Sequence, residues 1–293
     1  MLNPDSVNLL LKLTLAFITL SLGFGVTKSE IKTIFKRPKE LILGLATQLI
    51  LLPIIAILIC FFAPIDPILK LGILIISFCP GGTTANLLSY LFGANVGLSV
   101  SLTATNGILC LISIPIFTEL AIWFFQHQQL SITIPYLDII RDLVLVILIP
   151  GMLGVFLNGV FPSIVKQVQT KLKYILPGLL VLIFAIKFFA KPSQGGLSIS
   201  IDDIRQVIIP LVVLNVLSIL TAFVISFYLL KNRKNSLTIS IETGLQNTAL
   251  ALLITASSGN VVLQKPAVIY AAFSFFSTAL VILLLQKKYP QLN

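Results

Sequence analysis

Long apolar runs, each near the roughly 20 residues that carry a helix across a bilayer, alternate along this chain with short segments that hold most of its charges. The pattern predicts nine membrane-spanning helices, over 7–27, 41–62, 68–92, 96–125, 138–160, 174–190, 206–230, 236–257 and 265–286. Most runs are Leu, Ile, Val and Phe on every side, as in a helix surrounded by lipid or protein rather than one with a wet face. The expected fold is an all-α polytopic membrane protein, with 1–293 forming a single transmembrane unit.

Composition removes the soluble alternative. Of the 293 residues, 57% are apolar and 10% charged, and the mean hydropathy is +1.06; an ordinary soluble domain is about one-quarter charged. A net charge of +10 would suggest nucleic acid as a partner for a soluble protein, but here the cations are topological and no nucleic acid is expected. Under nine-span alternation one face collects Lys28, Lys32, Lys36, Arg37 and Lys39, then Lys166, Lys171 and Lys173 in the segment 161–173. It also takes Lys231, Arg233, Lys234, Lys287 and Lys288, which brings it to most of the 20 Lys and Arg. The other face carries Asp66, Asp138, Asp142, Asp202 and Asp203. By the positive-inside rule the N-terminus is outside and the C-terminus cytoplasmic. The opening MLNPDSV has neither a basic region nor a small-residue cleavage site, so the first run reads as a retained span. A plasma membrane, most simply a bacterial inner membrane, is the expected location.

Two runs break the pattern. The third contains Cys79-Pro80-Gly81-Gly82-Thr83-Thr84-Ala85-Asn86; Pro80 removes a backbone donor and two glycines add freedom, so the span is expected to split into half-helices. Irregular backbone at that depth survives only inside protein or beside a cavity. The eighth contains Glu242-Thr243-Gly244-Leu245-Gln246-Asn247. Glu242 is a carboxylate deep in the bilayer, where an unpaired charge costs several kcal/mol; it must be protonated, paired with a cation, or coordinating a bound ion. The third and eighth spans lie an odd number of spans apart and so cross in opposite directions. Spans two to four and seven to nine then form two inverted repeats with a broken helix in the middle of each, the arrangement secondary transporters use to build a midplane site. Around the breaks stand Gln48, Thr83, Thr84, Asn86, Ser99, Ser101, Thr103, Thr105 and Asn106. Hard oxygen ligands with one carboxylate suit Na⁺, although any one of these residues alone fits ordinary interhelical hydrogen bonding.

The stretches FCPGGTTANLLSYLFGANVGLSVSLTATNG at 78–107 and ETGLQNTALA at 242–251, supported by FKRPKELILGLATQLILLP at 35–53, resemble the bile acid:sodium symporter family. The resemblance implies a sodium-coupled symporter of an organic anion, with a core domain (spans within 41–125 and 206–286) moving against a panel (spans within 7–27 and 138–190). It implies two coupling Na⁺ ions. The first would be held by Asn86, Ser99, Thr103 and Glu242; the second by Gln48, Glu242 and Gln246 with main-chain carbonyls near Thr243 and Leu245. It places the substrate beside the crossing of the two breaks, near Thr83, Thr84 and Asn247, where half-helix N-termini supply partial positive charge without a buried Arg. The cargo implied is bile-acid-like, pantoate-like or a smaller monocarboxylate. In one departure from the family pattern, Ala85 stands where a sodium-liganding Ser commonly precedes the Asn.

The remaining residues fit simpler roles. Lys12, Lys187 and Glu119 are expected to reach the membrane interface from within their spans, and Arg141 and Asp142 to sit at that interface. Trp123 and Tyr136 read as interfacial anchors. Cys60, Cys79 and Cys110 lie in apolar runs without a CxxC spacing, which suggests buried thiols. There is no HExxH or GxSxG and no mid-membrane aspartate pair, and the one histidine, His127, falls in a loop, so an intramembrane enzyme is not expected. Two other carriers compete: a proton-coupled one using Glu242, and a metalloid efflux carrier using Cys79. A channel or ligand sensor on the same fold is a further rival.

Overall fold

The computed structural model describes residues 3–25, 38–125 and 136–289. Among them almost all residues are helical and no strand occurs. Seven helices are long and apolar enough to cross a membrane. They are α1 (Pro4–Gly25), α2 (Pro38–Phe62), α5 (Val96–Phe125), α6 (Leu137–Val160), α7 (Pro162–Phe189), α8 (Ile201–Leu230) and α11 (Val261–Lys288). Four shorter helices come in two pairs, α3 (Pro67–Phe78) with α4 (Thr83–Leu91) and α9 (Arg233–Gly244) with α10 (Thr248–Ser257). These are the third and eighth apolar runs, each interrupted where the sequence predicts a break. Lipid-type surface follows from the pattern of exposure: Phe61, Phe62, Ile112, Phe156, Phe189 and Leu283 all point outward.

Helix ends follow local chemistry. Pro67 and Pro162 open α3 and α7, where a missing N–H costs nothing. Asp66 accepts from the Ile68 amide at 2.7 Å, and Asn232, Asn247 and Asn260 cap α9, α10 and α11. Ser200 and Asp203 form a capping box at the start of α8. Two interior prolines, Pro53 and Pro150, each follow a π-helical turn, over Thr47–Leu51 and Val144–Leu148. A proline ring clashes with the carbonyl four residues before it, and the widened turn relieves that clash inside the span.

Three boundary expectations change. The segment 161–173 is not a loop: α7 begins at Pro162, so Lys166, Lys171 and Lys173 ride on its first turns. Asp202 and Asp203 are likewise inside α8, and α11 starts four residues earlier than the apolar run suggests, at Val261. Charged residues in terminal turns lower the local hydropathy without ending the helix. Lys28, Lys32, Lys36, Arg37 and His127 lie outside the described residues.

Helix α1 packs against α6 and α7, and its Gly23 lies so close to Gly151 and Gly154 that an added Cβ would overlap main-chain atoms of α6. Small residues let the two backbones approach in the absence of a water-driven force. The other helices surround α9 and α10. Every residue from Asn235 to Gly244 is buried, polar ones included. A segment so polar is stable at that depth only because it is wrapped on all sides by protein.

Two expectations for charged residues are also corrected. Lys187 does not extend to the interface: it is 2% exposed and donates to Asn8 Oδ1 (2.9 Å) and Gln264 Oε1 (3.3 Å). Asp142 is buried rather than interfacial, in an ion pair with Lys12 at 2.7 Å. Glu119, Trp123 and Arg141 are exposed.

Candidate functional site

The interruptions in the two broken helices meet. Gly81 and Gln246 form an isolated antiparallel bridge, and the Asn247 amide donates to the Pro80 carbonyl at 2.8 Å. Pro80 and the glycines cannot continue α3, and the crossing satisfies backbone groups that a break would otherwise leave bare. Gly81 has a specific reason to lack a side chain: a Cβ there would overlap Glu242 Oε2 and sit 3.2 Å from Gln48 Nε2. The end of α9 is fixed by the Gly244 carbonyl, which accepts from Tyr270 Oη (2.6 Å) and Asn215 Nδ2 (2.8 Å).

Glu242 is fully buried next to this crossing. Its Oε1 accepts from Ser99 Oγ and from Thr103 Oγ1 at 3.1 Å, and Thr103 also lies 3.2 Å from Oε2. Gln48 Nε2 donates to the Glu242 main-chain oxygen (2.9 Å) and, more weakly, to Oε2 (3.4 Å). The π-helical turn in α2 places Thr47 2.9 Å from Thr243 Oγ1 and aims Gln48 at the carboxylate. Thr103 Oγ1 is 3.5 Å from Asn86 Oδ1, and Asn106 Nδ2 donates to Gln48 Oε1 at 2.8 Å. All the donors to the carboxylate are neutral, and none of the three ion pairs among the described residues involves Glu242. Two further acceptors, Gln246 Oε1 and Asn106 Oδ1, are buried with no hydrogen-bond partner. The cluster therefore has more acceptors than donors.

The structure brings Asn86, Ser99, Thr103 and Glu242 into one group, with Gln48, Thr243 and Gln246 adjoining it. Gln246 Nε2 lies 2.6 Å from the Thr243 carbonyl. Leu245 is buried, with its side chain in an apolar cluster with Ile219, Phe223 and Ile241. Ala85 belongs to the same cluster, and one turn further along that helix Ser89 donates to Ser99 Oγ at 3.3 Å. Thr47 and Ser89 were not singled out by the sequence pattern, since a lone Thr or Ser in an apolar run signals nothing until a partner helix arrives.

Beside the crossing is a cavity of about 500 Å³, within the range of small-molecule sites. Thr83, Thr84 and Asn247 line it, together with Pro80, Gly81, Gln246 and apolar residues of α1, α5 and α6. Thr83 and Thr84 are exposed to it, while Asn247 Oδ1 is used to cap α10 at Leu250 N (3.0 Å). Neither Lys nor Arg lines it, and Cys79 is also absent from its wall. The Cys79 thiol instead faces its own helix, 3.3 Å from the Ile75 carbonyl. Among the described residues there is no group of three or more His, Cys, Asp and Glu side chains able to hold a transition metal.

The model of the family described as Sodium Bile acid symporter family matches residues 12–194. The chain belongs to this family. Among its relatives are a probable sodium/metabolite cotransporter, BASS1, chloroplastic, of Arabidopsis thaliana, and a sodium-dependent organic anion transporter of Homo sapiens. The first is 28% identical over 86% of this chain and 60% of the relative, the second 28% identical over 81% of this chain and 61% of the relative. The chain thus spans about three-fifths of the length of these two. The uncharacterized sodium-dependent transporter YocS of Bacillus subtilis (strain 168) is 24% identical over 94% of this chain and 82% of the relative. The sodium bile acid symporter family is a transporter family.

Proposed function

We propose that this member of the sodium bile acid symporter family is a sodium-coupled symporter of an organic anion that works by alternating access. The observation that carries the reading is the surplus of acceptors at the crossing. A fully buried carboxylate is served by neutral donors alone, and two buried amide oxygens have no donor. A buried cluster of this kind calls for positive charge, and a small hard cation supplies it. The sodium-dependent relatives support Na⁺ as that cation.

In this reading one ion is held by Asn86, Ser99, Thr103 and Glu242. A second uses Gln48, Glu242 and Gln246 with the carbonyls of Thr243 and Leu245; rotation of the Gln246 amide would release its 2.6 Å bond to the Thr243 carbonyl and let both oxygens face the ion. The anion occupies the cavity at Thr83, Thr84 and Asn247, where α4 and α10 begin and each helix N-terminus offers about half a positive charge. Its apolar walls favour a carboxylate with a hydrocarbon body, bile-acid-like or pantoate-like, over a fully hydrated small ion. Nine passes, with inverted repeats around the two breaks, put the N-terminus outside and the basic ends in the cytoplasm of a bacterial inner membrane. The core would move against the panel of α1, α6 and α7. Each Na⁺ moving inward contributes about 2.3 kcal/mol per 100 mV.

The test is a Na⁺ titration of the thermal stability of the detergent-purified protein at constant ionic strength. A ligand that binds only the folded state stabilises it by about 2.7 kcal/mol at a hundred times Kd. A saturable rise in Tm with Na⁺ but not K⁺, lost in Glu242→Gln, is the expected result. Equal Tm in both salts would overturn sodium coupling, and a pH-driven carrier using Glu242 would take its place.

A further inference from the structure

Away from the crossing, one polar seam joins α1, α6 and α7 to α10 and α11. Asp142 at the start of α6 is paired with Lys12 of α1 (2.7 Å) and accepts from Ser257 Oγ at the end of α10 (3.1 Å). Lys187, in the last turn of α7, donates to Asn8 of α1 (2.9 Å) and to Gln264 of α11 (3.3 Å). Asn8 and Lys12 are one turn apart on the same face of α1, so both sets of bonds form a single band. The cavity lies on the other side of this band. Its wall runs from Leu15 to Gly23 of α1 and from Ile147 to Phe156 of α6, beginning about one turn past Lys12 and Asp142 along those helices. The same helices are therefore bonded to α10 and α11 at one end and enclose a cavity further along.

The band is not electrically balanced. Asp142 is neutralised by Lys12 within the α1/α6/α7 group, so that pair survives any movement of α10 and α11. Lys187 has only neutral partners and takes part in none of the three ion pairs among the described residues. A buried ammonium lacking a carboxylate is the reverse of what packing alone would select.

We infer that this seam is the gate on the Pro4 side of the membrane, and that Lys187 is the counter-charge that receives the organic anion when the gate opens. The inference rests on the carrier reading above. Separating α10 and α11 from the panel breaks the Ser257–Asp142 and Gln264–Lys187 bonds and leaves the Lys12–Asp142 pair intact. The cleft that opens then presents one more cation than anion, and low-dielectric walls focus that field on incoming solute. The anion meets a full positive charge at the mouth and only helix dipoles at the cavity, so it is attracted without being trapped.

Ser257→Cys in the full-length protein, in native membranes, reports on the seam. The anionic reagent sulfonatoethyl methanethiosulfonate and its cationic trimethylammonioethyl counterpart are applied from each face, and the parent chain, whose three cysteines are buried, sets the background. We expect modification from the Pro4 face and a ratio of anionic to cationic rates that falls about tenfold when Lys187→Met is added and is kept by Lys187→Arg. Gln264→Leu, which removes the partner across the seam and keeps the charge, should speed modification by both reagents without changing their ratio. A ratio indifferent to Lys187→Met, or modification from the opposite face alone or from neither face, would overturn the inference. The Na⁺ titration is read separately: a Tm blind to Na⁺ beside a Lys187-dependent ratio removes sodium coupling and leaves the gate standing.

Discussion

Glu242 and Lys187 are both buried charges without an opposite charge in contact, yet their surroundings differ. The carboxylate sits where two broken helices cross, held by Ser99, Thr103 and Gln48 from α5 and α2. The ammonium sits at a seam, and one of its two partners, Gln264, belongs to the helix group across the seam. The first environment is closed on all sides around its carboxylate. The second is held by a few bonds that a sliding of helix groups would break. In the reading proposed above, the first group meets a cation in a fixed cage and the second meets the organic anion at a parting line.

Several substitutions probe that contrast. Gly81→Ala should have the largest effect, since its methyl overlaps the Glu242 carboxylate; about 1–3 kcal/mol of destabilisation, seen as a lower Tm, should accompany loss of the Na⁺ response. Gln48→Leu removes the amide that bonds Glu242 and strands Asn106 Nδ2. It should weaken the Na⁺ midpoint in the same melting assay by at least about tenfold, the equivalent of one lost charged hydrogen bond. Tyr270→Phe deletes the 2.6 Å bond to the Gly244 carbonyl but leaves Asn215 in place; a cost of about 1 kcal/mol with only a small change in the Na⁺ midpoint is expected. The smallest effect belongs to Asp142→Asn. Lys12 is 41% exposed, so the pair adds under about 1 kcal/mol to stability, and Tm should barely move. The reagent ratio at Ser257→Cys should nonetheless shift further toward the anion, because the seam then carries an extra net positive charge. If Asp142→Asn lowered Tm strongly and left the ratio alone, the seam would be structural cement and not a charged gate.

Much of this was legible in the chain. Apolar length gave the spans, Pro80 with its glycines marked one break, and a carboxylate among polar residues in an apolar run marked the other. The residues that converge on Glu242 stood out because hydroxyls and amides at bilayer depth need a reason. What misled was charge at helix ends: Lys166, Lys171 and Lys173 resemble a loop, yet a terminal turn can carry them into solvent without leaving the helix. Lys187 misled in the other direction. A lysine near the end of a span fits the rule that long side chains reach water, and nothing in the local sequence reveals that Asn8 and Gln264, far away in the chain, enclose it.

The sequence by itself determined the helical membrane architecture and the two breaks, because each depends on properties of residues near one another in the chain. Only the tertiary structure decided that Gly81 must make room for Glu242, that the Gln246 and Asn106 oxygens lack donors, and that Lys187 lies across a seam from Gln264. Those facts are relations between distant segments, set by how closely the helices pack, and in a medium without water they fix which charges find a partner and which wait for one.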